Sequence, residues 1–520
     1  METPSILNDV LGPVMRGPSS SHTAGSYHIA RTVRDLLGEE PARAVFAFDP
    51  GGSYARTFRE QGVDLALTAG LLGLPITDRA FRTVLVLARR RRLRLAFKVH
   101  PLETADHPNT VDIFLEGRNG RTLRATAKST GGGSFLVTAV DGWPVRVDGK
   151  SYAVFARAAK AARPALMKTF PKGTRFAHKP AWSVRGDEGL LVLSFREPPG
   201  PALRLKLDTA PGVKEWRLAN PVFFIQKGEP LFSSASEIVR LAEKRRWTLG
   251  RAALAYESVL LGLPEADIQK ELLRRYAIMK KSIEAGLHRR GIRMQLLRPT
   301  AHRILHADRS EKLAVGGLHS RAAARAMAAL HVSNSMGIVC AAPTGGSAGV
   351  IPGVLATLAE ERKLVPDAIA RSLAAAGAVG LIVAGRATFA AEVAGCQVEI
   401  GAAGAMAAAA VVEAAGGTAR QAANAAAISL QNTMGSVCDL VQGMCEIPCH
   451  TRNAVAASAA FVCADLIMGG YENPVPLDET IDASYASGRM LPAELRCTAR
   501  GGLAMAPSAR HLPNLRKRQP

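Results

Sequence analysis

Ile400-Gly-Ala-Ala-Gly-Ala-Met-Ala-Ala-Ala-Ala-Val-Val412 decides the fold class. The run carries no charge and is built from helix formers with small side chains. A helix that is apolar all round must be buried all round, and Ala and Gly surfaces let neighbouring helices approach closely. Ala422–Leu430 has much the same character. Upstream, Ile268, Leu272, Met279, Ile283 and Leu287 recur at one or two helical turns after Pro264, with Gly286 near the end. That spacing predicts an amphipathic helix. The second part of the chain therefore reads as a compact all-α domain. Polar loops lie at its centre: Asn334-Ser-Met-Gly337, Ala342-Pro-Thr-Gly-Gly-Ser-Ala-Gly349, and Cys438 through Asn453.

Outward from this domain the pattern changes. Ser26–Leu37 predicts a helix, Ala44–Phe48 a strand, and Val111–Leu115 with Thr122–Lys128 a hairpin. Strand signals continue at Leu190–Phe195, Ala202–Leu207 and Val222–Gln226, between turns rich in Pro and Gly. The reading is an α+β chain: a mixed α/β domain over 1–148, a β-rich extension over 149–228, a buried all-α catalytic domain over 229–508, and a basic tail over 509–520. The tail from Arg510 is expected to be disordered. A chain of 520 residues is in any case too long for one core of ordinary size.

Charge and cysteine divide the chain in the same way. The net charge is +22, yet Leu330–Gly501 holds nine basic residues against fourteen acidic ones. The basic excess lies upstream and in the tail. Such a balance points first to nucleic acid, but the N-terminal part has neither aromatic platforms nor a duplex-reading motif, so nucleic-acid binding is not the expectation. All seven cysteines, an odd number, fall between Cys340 and Cys497. This does not resemble a secreted disulfide framework. The N-terminus lacks the basic stretch and apolar run of a signal peptide. Val332–Ala359 is long and uncharged but broken by Pro343 and Pro352, which favours a buried helix–turn–helix over a membrane span. A cytoplasmic setting without a membrane is expected, with a homodimer as the assembly.

Three cysteines stand in polar contexts. Gly395-Cys396-Gln397, Cys438-Asp439 and Pro448-Cys449-His450 lie beside Gly, Pro and polar side chains, not within apolar stripes. Soft thiolates gathered at one site favour zinc or iron–sulfur. Their spacing matches neither a ferredoxin run nor a zinc ribbon, and buried packing cysteines are the competing account. Ser19-Ser-Ser-His22-Thr23 precedes the first helix, where hydroxyls and free N–H groups suit a carboxylate, or serve as an ordinary N-cap.

Here the chain resembles the iron–sulfur-dependent L-serine dehydratases, in a single-chain form. The resemblance rests on Gly17-Pro-Ser-Ser-Ser-His-Thr23, Ala342–Pro352, Gly395-Cys-Gln-Val-Glu-Ile-Gly401, Cys438-Asp439, Ile447-Pro-Cys449 and Arg452-Asn-Ala454. Weaker echoes are His107-Pro-Asn109, Gly131-Gly-Gly133 and Arg500-Gly-Gly-Leu-Ala504, in family order. The resemblance implies a 4Fe–4S cluster on Cys396, Cys438 and Cys449, with one iron open as a Lewis acid for a β-hydroxyl. It implies L-serine as substrate, pyruvate and ammonia as products, no pyridoxal phosphate, and a role in amino-acid catabolism and gluconeogenesis. His22 is then the candidate proton carrier. Ser19, Ser20, Ser21, Thr23, Asn334, Ser335, Thr344, Gly345, Ser347, Arg452 and Asn453 are candidates for holding the substrate. Gln397 and Glu399 flank the first ligand and are expected to support it. Cys340, Cys445, Cys463 and Cys497 are expected to be packing residues.

Departures from the family touch polar positions. A family Gly-Lys-Gly-His stretch is replaced within Ser53-Tyr-Ala-Arg-Thr-Phe-Arg-Glu-Gln-Gly62, leaving no histidine near Gln61. A second histidine, near Asn432, is also missing, and Asp439 is followed by Leu440 instead of Pro. Glu392 reads as displaced by one residue. The alternatives are a related lyase on another β-hydroxy or β-thiol amino acid, or a cluster-bearing sensor without turnover.

Overall fold

The computed structural model describes residues 3–168, 170, 176–289 and 291–515. The first part contains β1 (Val14–Arg16), α1 (Gly25–Leu37), β2 (Pro41–Phe48), α2 (Ser53–Thr57), α3 (Val63–Leu71), α4 (Val84–Arg90), β3 (Arg94–Val99), β4 (Thr110–Gly117), β5 (Thr122–Gly131), β6 (Ser134–Val140) and β7 (Trp143–Val147). Six of these strands form one sheet in the order β3-β2-β4-β5-β6-β7, antiparallel except between β2 and β3. Val111, Ile113 and Leu115 alternate inward along β4, and Leu123, Ala125 and Ala127 along β5. They share a core with Ile29, Val33 and Leu36 of α1 and Leu67 of α3, so one face of the sheet is covered by helices.

The next unit is β8 (Tyr152–Ala159), α5 (Arg163–Lys168), β9 (Phe176–Arg185), β10 (Glu188–Phe195), α6 (Pro201–Thr209) and β11 (Val213–Ala219). Its antiparallel sheet runs β11-β8-β10-β9, the βαββαβ arrangement of ferredoxin-like units. The period of two along β8 serves two cores. Val154, Ala156 and Ala158 pack on Leu166 and Leu207 of the unit's own helices, while Ala153 and Phe155 join the core of the first sheet. Two expected strands are corrected here. Ala202–Leu207 lies in α6: Pro201 starts a helix, and Leu203 and Leu207, four apart, face the unit's core. Val222–Gln226 pairs with no strand; Asn8 takes the place of a partner, its Oδ1 accepting from Phe224 N at 2.9 Å and its Nδ2 donating to Phe224 O at 2.8 Å.

The remaining elements are helical apart from one short strand: α7 (Ala235–Arg245), α8 (Leu249–Leu261), α9 (Glu265–His288), α10 (Ala301–Arg309), α11 (Leu318–Asn334), β12 (Ile338–Cys340), α12 (Val350–Glu361), α13 (Pro366–Arg386), α14 (Ala391–Ala394), α15 (Ile400–Ala414), α16 (Ala419–Gln431), α17 (Cys449–Met468), α18 (Leu477–Arg489) and α19 (Pro507–Arg510). α15 is the centre, surrounded by α12, α13, α16 and α17, and buried from Ile400 to Glu413. Among the described residues, three segments are long and apolar enough to cross a membrane: Pro366–Arg386, Cys396–Ala414 and Cys449–Met468. The first two are mostly covered by other helices, whereas α17 leaves Val455, Val462 and Leu466 exposed.

β1 pairs antiparallel with β12, Val14 opposite Cys340 and Arg16 opposite Ile338. This short ladder sets the Ser19–Thr23 segment beside the Asn334–Gly349 loops. The beginning of the expected disordered tail is docked: Leu515 N donates to Gln295 O at 2.7 Å and Asn514 Nδ2 to Gln295 Oε1 at 2.8 Å. Residues 516–520 lie outside the described residues.

Candidate active site

Ser20–Ala24 forms a single helical turn that runs directly into α1, with Ser19 capping it by accepting from His22 N at 3.2 Å. Inside the turn His22 is fully buried. Its Nδ1 lies 3.1 Å from Ser19 Oγ, Ser21 Oγ and Glu392 Oε1, and its Nε2 lies 3.1 Å from Ser53 Oγ. Ser21 donates to Glu392 at 2.6 Å, and Ser53 to the Cys497 carbonyl at 2.9 Å. Burial is the strongest single influence on Glu392 and opposes its charge, yet His22 and the Ser21 hydroxyl outweigh it and hold the carboxyl down at about 2. The pair is a buried carboxylate orienting an imidazole.

The thiols adjoin this pair. Cys396, Cys438 and Cys449 are all buried, and the Cys396 and Cys438 sulfurs lie within 4.8 Å of each other and of a Glu399 oxygen. The contact with Cys438 holds the Cys396 thiol below its ordinary range against the effect of burial, and Arg452 adds to it. Arg452 Nη1 reaches Cys396 Sγ at 3.5 Å and Val437 O at 2.7 Å, and the guanidinium pairs with Asp439 at 2.9 Å. Burial pushes Glu399 well above the usual carboxylate range, and Cys396 and Glu392 push it further, against the hydrogen bond with Thr344. Gly395 sets the geometry. It has φ +75°, and a Cβ there would lie 2.6 Å from Ser436 O. This tight turn sends Glu392 toward His22 on one side and Cys396 toward Cys438 on the other.

The other expected residues divide into those at the centre and those that support it. A Cβ on Gly345 would lie 2.9 Å from Ser20 N, so the glycine lets its loop rest on the Ser19–Ser20 backbone. Thr344 and Ser347 hydroxyls bond each other at 2.9 Å and close that loop. Asn453 Nδ2 donates to Gly346 O and Cys449 O, both at 2.8 Å, and its Oδ1 accepts from Gly349 N at 3.1 Å. Asn334 donates to Cys445 O at 2.9 Å. Gln397 accepts from Gly435 N at 3.0 Å and Ser484 Oγ at 3.3 Å, behind the thiols. Thr23 is committed to Gln61 O at 2.7 Å, and Ser335 to Arg293 N at 2.9 Å. Neither hydroxyl is directed at the thiols.

Four residues at the centre were not among the expected site residues. Glu392 lies beside His22, its Oε1 3.1 Å from Nδ1. Ser53 follows Gly51-Gly52, and Gln61 lies in the Ser53–Gly62 stretch, which has no histidine. Cys497, expected to be a packing residue, is buried in the core and also adjoins the site: its sulfur lies within 4.8 Å of His22 and Glu392 atoms, and Gln61 Nε2 approaches it at 3.9 Å. Contact with Cys438 favours its thiolate, but burial and the Glu392 and Glu399 carboxylates outweigh that and raise it. Cys445 also lies against Cys449, and Cys340 and Cys463 belong, like the other five cysteines, to the large buried core. The lost histidine and the Arg500-Gly-Gly stretch were the available signals for Gln61 and Cys497. Ser20 Oγ, Gln61 Oε1 and Glu392 Oε2 are buried without a hydrogen-bond partner among the described residues. Buried polar atoms are ordinarily satisfied. Three such atoms in segments that meet around His22 mark a place for a polar ligand.

The family described as "Serine dehydratase alpha chain" matches residues 156–504. The probable L-serine dehydratase alpha chain of Bacillus subtilis (strain 168) is 37% identical over 282 residues, 54% of this chain and 94% of that protein. The probable L-serine dehydratase beta chain of the same organism is 38% identical over 146 residues, 28% of this chain and 64% of that protein. The L-serine dehydratase alpha chain of Peptoniphilus asaccharolyticus is 34% identical over 275 residues, 53% of this chain and 94% of that protein.

Proposed function

The chain belongs to the L-serine dehydratase family of lyases, and on that premise we propose that it converts L-serine to pyruvate and ammonia with a 4Fe–4S cluster. The observation that carries this reading is the pairing of unsatisfied Ser20, Gln61 and Glu392 atoms with a buried set of thiols beside His22. The donor set fits the group: three buried cysteines from separate segments of the chain, with the Arg452 guanidinium 3.5 Å from Cys396 Sγ. Cys396, Cys438 and Cys449 would hold the cluster, which supplies a Lewis acid that makes hydroxide a feasible leaving group.

The chain's own residues do the rest. Ser20 and the N–H groups opening α1 receive the substrate carboxylate. His22, oriented by Glu392, carries the proton taken from Cα. The closed Thr344–Ser347 loop and Asn453 hold the site shut against water. Loss of the Cα proton and of hydroxide leaves an aminoacrylate, which hydrolyses to the keto acid and ammonia. Seven cysteines without a disulfide support a reducing, cytoplasmic setting, and the exposed apolar side of α17 supports a homodimer. Gln61 in place of a histidine, facing Cys497, favours a second reading in which a different β-hydroxy or β-thiol amino acid is the substrate.

The test is anaerobic purification with iron and sulfide quantified, followed by keto-acid and ammonia assays over a panel of amino acids. Iron and turnover on L-serine are expected. Cys396→Ser, Cys438→Ser and Cys449→Ser should each lose iron, whereas Cys463→Ala should keep it. A protein without iron sinks the cluster; turnover confined to another amino acid selects the second reading; a cluster without turnover indicates a sensor.

A further inference from the structure

We propose that His22, Glu392 and Cys497 form a further metal site, apart from the Cys396, Cys438 and Cys449 set, which takes Zn2+ and thereby shuts off His22. One ligand atom from each of the three residues lies within 4.8 Å of the other two, and all three side chains are buried. Donor atoms around a tetrahedral zinc lie about 3.3–3.8 Å apart, so shifts of about 1 Å close these three on an ion. Imidazole nitrogen, carboxylate oxygen and thiolate sulfur are the donor types that zinc combines.

The hydrogen bonds around His22 leave the right atoms free. Ser53 Oγ directs its hydrogen to the Cys497 carbonyl at 2.9 Å, so it accepts from His22 Nε2, 3.1 Å away. A ligating histidine ordinarily donates from its other ring nitrogen in this way, which fixes the ring. Nδ1 is then the ligand atom, and it already lies 3.1 Å from Glu392 Oε1. Ser21 donates to that same oxygen at 2.6 Å, while Glu392 Oε2 is buried without a hydrogen-bond partner among the described residues. Gln61 Oε1 is likewise unpartnered, on a carboxamide whose Nε2 lies 3.9 Å from Cys497 Sγ. Turned over, that carboxamide supplies the fourth donor.

Charge favours a divalent ion in this buried place. The Glu392 carboxylate and the Cys497 thiolate sum with Zn2+ to zero, so filling the site leaves no net buried charge. A bound cation deprotonates a coordinating thiol, and the Cys497 proton, with any proton on Nδ1, leaves to solvent as the metal bonds form. With Nδ1 on the metal and Nε2 donating to Ser53, the imidazole has no nitrogen left to carry a substrate proton. That consequence rests on the proposed role of His22; the binding itself does not.

The full-length chain, purified anaerobically with its iron and sulfide quantified, is dialysed against Zn2+, and the bound zinc is counted and examined by X-ray absorption. The same is done with a chain carrying Cys396→Ser, Cys438→Ser and Cys449→Ser together, where no thiol of that set competes; should it fail to fold, the wild type carries the count. One zinc per chain is expected in both, with one sulfur at about 2.3 Å and the remaining donors at about 2.0–2.1 Å. Cys497→Ala, checked for folding by circular dichroism, should raise the half-saturating zinc concentration by roughly tenfold or more, since even an outer partner of a ligand contributes that much. Keto-acid formation by the wild type should be lost as zinc binds and return when a chelator removes it. No bound zinc, two or more sulfurs per zinc, or an unchanged half-saturation in Cys497→Ala overturns the site. Turnover that survives a bound zinc overturns the shut-off of His22. A chain that binds zinc through Cys497 but holds no iron upholds this site and sinks the cluster.

Discussion

His22 Nδ1 lies 3.1 Å from Glu392 Oε1, and neither side chain is open to solvent. His22 comes from the turn that opens α1 and Glu392 from the short α14, so the contact spans the α/β part and the helical part. The β1–β12 ladder on one side and the Gly395 turn on the other bring them together. The imidazole is thereby aimed by a carboxylate of the other part, and the thiol of Cys396 is set by the same turn.

Glu392→Gln should keep the fold but lose the charge that orients His22. Turnover is expected to fall by roughly 100-fold or more, the range of a general acid–base contribution, measured as keto-acid formation at saturating substrate. The folded carboxyl is held at about 2, below its ordinary 4.5. The wild type therefore carries a stabilisation from Glu392 that is complete above pH 4.5 and is lost as the pH falls toward 2. In Glu392→Gln that part of the acid dependence should be absent from urea unfolding curves.

Gln61→His restores an imidazole at the position where the family histidine is missing. Gln61 is fully buried, with its Oε1 unpaired and its Nε2 near Cys497 Sγ. The variant is expected to add an ionisation between about pH 5.5 and 8 to the pH profile of kcat/KM. An unchanged profile would show that Gln61 faces away from the reacting proton.

Asn453→Ala removes one side chain that ties three backbone groups: Gly346 O, Cys449 O and Gly349 N. Each is left buried without its partner. The expected loss is about 3 kcal/mol in denaturant unfolding, with a lower iron content because Cys449 loses its anchor. Iron content equal to wild type would separate the loop's stability from the thiol geometry.

Acid should weaken the fold from about pH 6.5 downward, through two buried histidines. Burial is the main effect that lowers His28 to about 4, against the hydrogen bond from Nδ1 to Gly133 O at 2.8 Å, and burial likewise lowers His331 to about 3. Both bind protons near pH 6.5 when unfolded but resist them when folded. Their stabilisation is present above pH 6.5 and is lost as the pH falls through that value toward 4 and 3, about 3 kcal/mol for His28 alone. His28→Gln, which can still donate to Gly133 O, should flatten the fall in stability between pH 6.5 and 4.

The sequence by itself determined the helices of the second part, because a run such as Ile400–Val412 has no face that tolerates water. It also determined the first sheet's hairpin, through alternation along Val111–Leu115 and Thr122–Lys128. The residue types of the site were legible as motifs: the Ser19–Thr23 segment, the Thr344–Ser347 loop and the three cysteines. Only the tertiary structure decided which of these meet. Ala202–Leu207 alternates like a strand, but Pro201 and the core formed by β8 and β10 make it a helix. Glu392 and Ser53 have no local pattern that marks them, and neither the lost histidine near Gln61 nor the Arg500-Gly-Gly stretch near Cys497 says what those residues meet. They reach His22 because the β1–β12 pairing, the φ +75° turn at Gly395 and the packing of the α/β part on the helices converge there, and contact across such distances along the chain is written in packing and not in periodicity.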